Sequence, residues 1–157
     1  MIEAGFAELY LPTILSTVYR TLEYLSGISD DDVRRLHAVG IRHTNQLLHR
    51  ASLGIDRMRL EKKTGITRER LFEFVNQCTL LEVSGMERWI SLVRRLGVNS
   101  LKDLHAKDPK NLHAELLEAI GLAGAPTLGE VEYWIGQAGP LDIVEEPEPE
   151  KARPVIK

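Results

Sequence analysis

Apolar residues recur along this chain at spacings of three and four. Leu11, Ile14, Leu15, Val18, Leu22 and Leu25 form the first such stripe, with Pro12 where a first helical turn tolerates it. The stripe predicts an amphipathic helix that either lies on the core or offers a docking face. Polar caps punctuate the rest of the chain. Ser29 with Asp32 three residues on, and Asp30 and Asp31 between them, predict a helix start; Gly40 ends that helix and Thr44 opens another through Leu47 and Leu48. Two helices are expected between about Ile55 and Leu81, turned by "KKTGITRER" (Lys62 to Arg70) with Thr67 as a cap. A further helix comes after the Gly85 turn and stops at Gly97. Ser100 and Asp103 repeat the cap spacing, and Asp108-Pro109 opens a helix to about Ile120. The last helix is expected from Leu128 to Ala138, stopped by Gly139-Pro140. No stretch sustains the two-residue alternation of a strand, so the expected fold class is all-α.

The polar pattern also repeats. "YLSGISDDDVRRLHAVGI" (Tyr24 to Ile41) returns in altered form as "EVSGMERWISLVRRLGV" (Glu82 to Val98). Ser26-Gly27-Ile28 matches Ser84-Gly85-Met86, Arg34-Arg35-Leu36 matches Arg94-Arg95-Leu96, and Gly40-Ile41 matches Gly97-Val98. Each copy reads as helix, hairpin, helix, and neither is large enough to bury its apolar face alone. The expectation is therefore a compact helical domain over 22–139, built of two helix-hairpin-helix units around a middle helical pair. An amphipathic helix over 1–21 precedes it, and an acidic, Pro-rich, flexible tail over 140–157 comes after it. At 157 residues and 43% hydrophobic content the chain can bury one core.

The segments "LEYLSGI", "LEKKTGITRERLFEFVNQC", "GVNSLKDLHAKDPKNLHAEL" and "PTLGEVEYWIGQA" occur in an order that resembles a mainly bacterial family known as domain of unknown function 4332. The resemblance covers about Leu22 to Ala138. It implies a compact helical domain, similar to tandem helix-hairpin-helix proteins, and no established activity.

Composition narrows the function classes. A formal charge of -3 argues against a general polyanion binder without excluding a local patch. The lone Cys78 excludes an internal disulfide, fits a reducing compartment and, coming after Phe74 and Val75, reads as a core residue. Leu9 to Leu25 is broken by Arg20 and Glu23, and the opening "MIEAGFAELY" lacks a basic leader, so membrane insertion is not expected and the expected location is cytoplasmic.

In nucleic-acid-binding helix-hairpin-helix proteins the turn is usually Gly-apolar-Gly, which lets backbone N–H groups close on a phosphate. Here Ser29 and Glu87 stand at the second glycine, and Asp30, Asp31 and Asp32 crowd the first anion site, so these two hairpins read as self-capped corners. The middle hairpin differs. Lys62, Lys63, Arg68 and Arg70 surround Gly65 and Thr67, and between Arg34 and Arg70 ten Lys/Arg face only Asp56, Glu61 and Glu69. No aromatics interleave with that run, so single strands have no stacking platform. His37, His43 and His49 are six apart and do not share a helix face, and His105 and His113 have no cysteine partner nearby, so no metal is expected. No Gly-rich phosphate loop, nucleophile elbow or metalloprotease helix is present, so neither an enzyme nor a cofactor is expected. Trp89 and Trp134 are candidate partner anchors, with core filling as their other role. The leading functional expectation is a non-catalytic scaffold that binds a protein partner. The alternative is sequence-nonspecific DNA or RNA binding through 34–70, with Lys62, Lys63, Gly65, Thr67, Arg68 and Arg70 at the phosphates.

Overall fold

Short-range caps set most of the helix starts. The computed structural model describes residues 19–147, so the helix expected over 1–21 lies outside the described residues apart from its last three positions. Leu22–Tyr24 forms one 3-10 turn, and Leu22 and Leu25 are buried. In α1 (Asp30–Ala38) the Ser29 hydroxyl accepts from the Asp32 N–H and the Asp32 carboxylate accepts from the Ser29 N–H, both at 3.0 Å. α2 (Thr44–Ala51) starts where Gln46 Oε1 accepts from the N–H groups of Arg42 and His43. Thr67, Ser100, Asp108 and Thr127 cap α4 (Arg68–Leu80), α6 (Leu101–His105), α7 (Pro109–Ile120) and α8 (Leu128–Leu141) through their side-chain oxygens. A 3-10 turn at Glu87–Trp89 leads into α5 (Ile90–Arg95). No strand occurs among the described residues, and the fold is all-helical.

Two sequence expectations about the C-terminal side need correction. α8 does not stop at Gly139-Pro140 but runs to Leu141, because a proline in the last turn removes a single hydrogen bond and the Asp142 N–H closes on Gly139 O at 3.2 Å. Nor is the stretch after it a free tail from residue 140. α3 (Gly54–Thr64) has no capping side chain of its own at Leu53. Glu145 supplies one from 91 positions downstream, its Oε1 accepting from the Gly54 N–H at 2.6 Å. The Glu145 N–H in turn donates to Ser52 O at 2.7 Å, and Val144 is buried among first-half core residues.

There are two apolar clusters where one was expected. The first gathers residues of the 3-10 turn and α1–α4, including Leu36, Ile41, Leu60 and Phe74, together with Val144. The second runs from Leu80 through Met86, Val93, Leu104 and Leu116 to Trp134. Tyr24 packs against both. α4 feeds both as well, through Leu71, Phe74 and Cys78 at its start and middle and Leu80 at its end.

The repeat is present in the packing, in a different register from the one read in the sequence. α2 and α3 pack on α4 as α6 and α7 pack on α8. The Ile41 N–H reaches Leu36 O, and the Val98 N–H reaches Val93 O, each at 3.0 Å. Those bonds place Leu36 opposite Val93, and therefore Arg94 opposite His37. The two Arg-Arg pairs are not equivalent positions: Arg34-Arg35 lie six and five residues before Gly40, and Arg94-Arg95 three and two before Gly97. A further equivalence went unread. The Gln77 amide accepts from Ser26 N–H at 2.8 Å and donates to Ser26 O at 3.1 Å; Gln137 does the same with Ser84 at 2.8 and 3.1 Å. Each Ser-Gly turn is thus clamped to the closing helix of its own half.

Because Gln77 is buried and Gln137 lies on an exposed edge, the two clamps are expected to differ in worth. Gln77→Ala is expected to lower unfolding stability by about 1–2 kcal/mol and Gln137→Ala by less than about 1 kcal/mol, read from urea midpoints. Losses that are equal, or both close to zero, would remove the clamps as fold determinants.

Candidate functional site

The first turn spends several of its donors on itself. Of its donors, the Ser26 N–H goes to Gln77, the Ile28 N–H to Leu25 O, the Ser29 N–H to Asp32 and the Asp32 N–H to Ser29. The Gly27 carbonyl accepts from Arg70 Nη2 at 3.0 Å. The same guanidinium grips Asp32 in a two-pronged pair, Nη1 to Oδ1 at 3.1 Å and Nη2 to Oδ2 at 2.5 Å, and lies 5.1 Å over the Phe74 ring. This hydrogen-bonded pairing holds the Asp32 carboxyl below its ordinary pKa against the opposing effect of burial, and raises that of Arg70.

The middle hairpin consequently does not gather the six residues expected at a phosphate site. Arg70 faces Asp32. Arg68 Nε pairs with Glu61 Oε1 at 2.7 Å. The Thr67 hydroxyl is used by the Arg70 N–H at 3.2 Å. Gly65 has φ +82°, and a Cβ built there would stand 2.7 Å from Arg35 Nη1, which donates to Thr64 O at 2.9 Å. Glycine is favoured at this corner for its left-handed backbone, and a larger residue would also displace the tip of Arg35. Lys62 and Lys63 are exposed and make no ion pair among the described residues. Elsewhere in the basic segment, Arg34 and Arg35 pair with Asp31, and Arg59 pairs with Asp56. Arg57 is 2% exposed and donates to the carbonyls of Ala51, Ser52 and Glu145. The local excess of positive charge is largely spent on internal structure.

Of the two tryptophans, Trp134 is 1% exposed and belongs to the second core, which corrects its candidacy as a partner anchor. Trp89 is half-buried against that core with the Arg88 guanidinium 4.9 Å over its ring. Cys78 is buried, and burial pushes its thiol pKa upward, away from a reactive thiolate.

Three cavities among the described residues stand out by their lining. One of about 300 Å³ is lined by Gly54, Ile55, Arg57, Met58, Arg68 and Glu69 on one side and Glu145 to Pro147 on the other. Leu53 (47%), Ile55 (48%) and Met58 (36%) are exposed at its edge, an apolar patch that hydropathy spacing alone did not single out. A second, of about 610 Å³, runs between the two halves past Gln77, Asn76, Arg94, Ser100 and Lys102. Burial works against the Lys102 charge, but the carboxylates of Asp142 at 2.6 Å and Glu146 at 3.0 Å outweigh it and raise its pKa. The third, of about 480 Å³, adjoins the second and shares Ser26, Arg94 and Asn99 with it.

Residues 26–141 match the family described as Domain of unknown function (DUF4332). The chain belongs to this family. The matched span of the DUF4332 chain takes in both Ser-Gly turns, both glutamine clamps and the eight α-helices of the described residues. No curated protein and no solved structure matches the chain. No helix among the described residues of this DUF4332 protein is long and apolar enough to cross a membrane.

Folding lowers the Asp32 pKa, so the pair with Arg70 contributes fully above the ordinary carboxylate value of 3.8, and its contribution is lost as pH falls through the lowered value. Asp32→Asn is expected to be destabilised by a constant amount around neutral pH and to converge on wild type below pH 3.8. Urea midpoints across that range check it, and a gap that widens in acid would contradict the pairing.

Proposed function

We propose that this DUF4332 domain is a non-catalytic binding module of tandem helix-hairpin-helix type that mediates protein–protein contact. The observation that carries the reading is the exposed apolar patch of Leu53, Ile55 and Met58 beside the 300 Å³ cavity, rimmed by Arg59, Arg68 and Glu69. Apolar side chains grouped at a concave edge inside a charged rim are the usual anatomy of a protein interface. Rigid support favours the same reading: Glu145 and Arg57 hold the start of α3 in place, so a partner meets a preformed surface. The alternative, nucleic-acid binding through 34–70, keeps Lys62 and Lys63 as exposed cations, whereas Arg68 and Arg70 already serve carboxylates.

A pull-down from the native cells with the full chain tests the scaffold reading. Wild type is expected to retain a stoichiometric protein that Ile55→Asp with Met58→Asp loses, with both proteins melting alike. Equal retention by the two, or none by either, ends the proposal. A low-salt anisotropy titration with duplex DNA, single-stranded DNA and RNA is expected to show no binding. Binding that Lys62→Glu with Lys63→Glu abolishes would put the nucleic-acid reading in its place.

A further inference from the structure

The third cavity is lined by Ser26, Ser91, Arg94, Arg95 and Asn99: two guanidinium groups, two hydroxyls, one amide and no carboxylate. It lies away from the apolar patch, and its chemistry is unlike that of the other two cavities. Ser91 lies three and four residues before Arg94 and Arg95 on α5, which sets the three side chains on one helix face. The Gly97 turn then folds Asn99 back over the helix end, and Ser26 closes the opposite wall from the first half.

Arg94 is the unusual member. It is half-buried, and neither it nor Arg95 has a carboxylate within ion-pair distance among the described residues. Its Nη2 donates to Gln77 Oε1 at 2.9 Å and to the Ser26 hydroxyl, while its Nε is shielded from solvent with no partner. A desolvated cation held by neutral acceptors is costly without a counter-ion. The architecture does not demand it. The second-half clamp, Gln137 with Ser84, forms without an arginine, and the first-half equivalent of Arg94 is His37. Capping does not demand it either, since the carbonyls of Leu92, Val93 and Arg94 already accept from Leu96, Gly97 and Val98.

We infer that Arg94, Arg95, Ser26, Ser91 and Asn99 form a binding site for the phosphate of a small, hydroxyl-rich phosphate monoester, of the sugar-phosphate class. The Arg95 guanidinium, the Nη1 of Arg94 and two hydroxyls match a dianionic oxyanion in charge and in donors. The adjoining 610 Å³ cavity offers the body of the ligand the Asn76 amide and carboxylates at Glu73 and Asp103, acceptors suited to sugar hydroxyls. The Gln77 clamp orients Arg94 before any ligand arrives.

The test is an NMR titration of the full chain with ribose 5-phosphate, inorganic phosphate and ribose. Ribose 5-phosphate is expected to shift the amides of Ser26, Ser91, Arg94 and Asn99, inorganic phosphate to shift them more weakly, and ribose not at all. Arg95→Gln, an exposed change, and Arg94→Gln are each expected to weaken ribose 5-phosphate binding by about tenfold or more. Lys62→Glu with Lys63→Glu is expected to leave it unchanged. Absence of shifts, shifts confined to Lys62 and Lys63, or full affinity in Arg95→Gln would overturn the site. Equal affinity for inorganic phosphate and ribose 5-phosphate would overturn the assignment of the ligand body. None of these outcomes depends on the protein-partner surface at Ile55 and Met58.

Discussion

The side-chain amide of Gln77, bonded to both the N–H and the carbonyl of Ser26, is the interaction on which the rest of the molecule leans. It ties the first turn to the late part of α4, the helix that carries residues of both apolar clusters. With that turn fixed, Gly27 O faces Arg70, Asp32 completes both its cap and its ion pair, and Ser26 forms one wall of the inter-half cavities. One uncharged side chain thereby couples the corner, the central helix and the boundary between halves. Satisfying both backbone groups of Ser26 also removes the cost of leaving them unpaired at a tight bend.

What was legible in the sequence is what depends on neighbours three or four residues away. Ser29 with Asp32, Ser100 with Asp103, and Asp108 with Pro109 act as caps where their spacing predicts, and the all-helical class comes from such spacings added together. Partners brought together by the fold were not legible. Asp32 lies 38 positions from Arg70, Gln77 lies 51 from Ser26, and Glu145 lies 91 from Gly54. A charge count over Arg34 to Arg70 treats Arg70 as free, because its carboxylate stands outside the counted window. The glutamine clamp did leave a trace, the likeness of "FVNQC" to "WIGQA", with Gln77 and Gln137 at the same place in each. The Arg-Arg pairs misled in the opposite direction, since identical dipeptides fell one helical turn out of register.

The cations of this DUF4332 domain fall into distinct physical groups. Arg57 is buried and tied to carbonyls, and it acts as a structural strut. Arg35, Arg68 and Arg70 each meet a carboxylate and fix a helix end. Lys62 and Lys63 stand in solvent, where screening makes them weak. Arg50 and Arg94 are half-buried without a carboxylate within ion-pair distance among the described residues, and Arg94 differs in that its Nε is shielded from solvent with no partner. Net charge and charge density in sequence do not separate these groups, because the differences lie in desolvation and in what each guanidinium faces.

The return of Asp142 to Glu146 across the start of α3 bears on how the protein comes off the ribosome. Val144 completes the first apolar cluster and Glu145 supplies the missing cap of α3, yet both are synthesised after the entire second half. The half that emerges first lacks one residue of its apolar cluster and the cap of α3 until residues 144 and 145 are made. Completion of the first half therefore waits on residues from beyond the second, a contact order that works against strictly vectorial maturation.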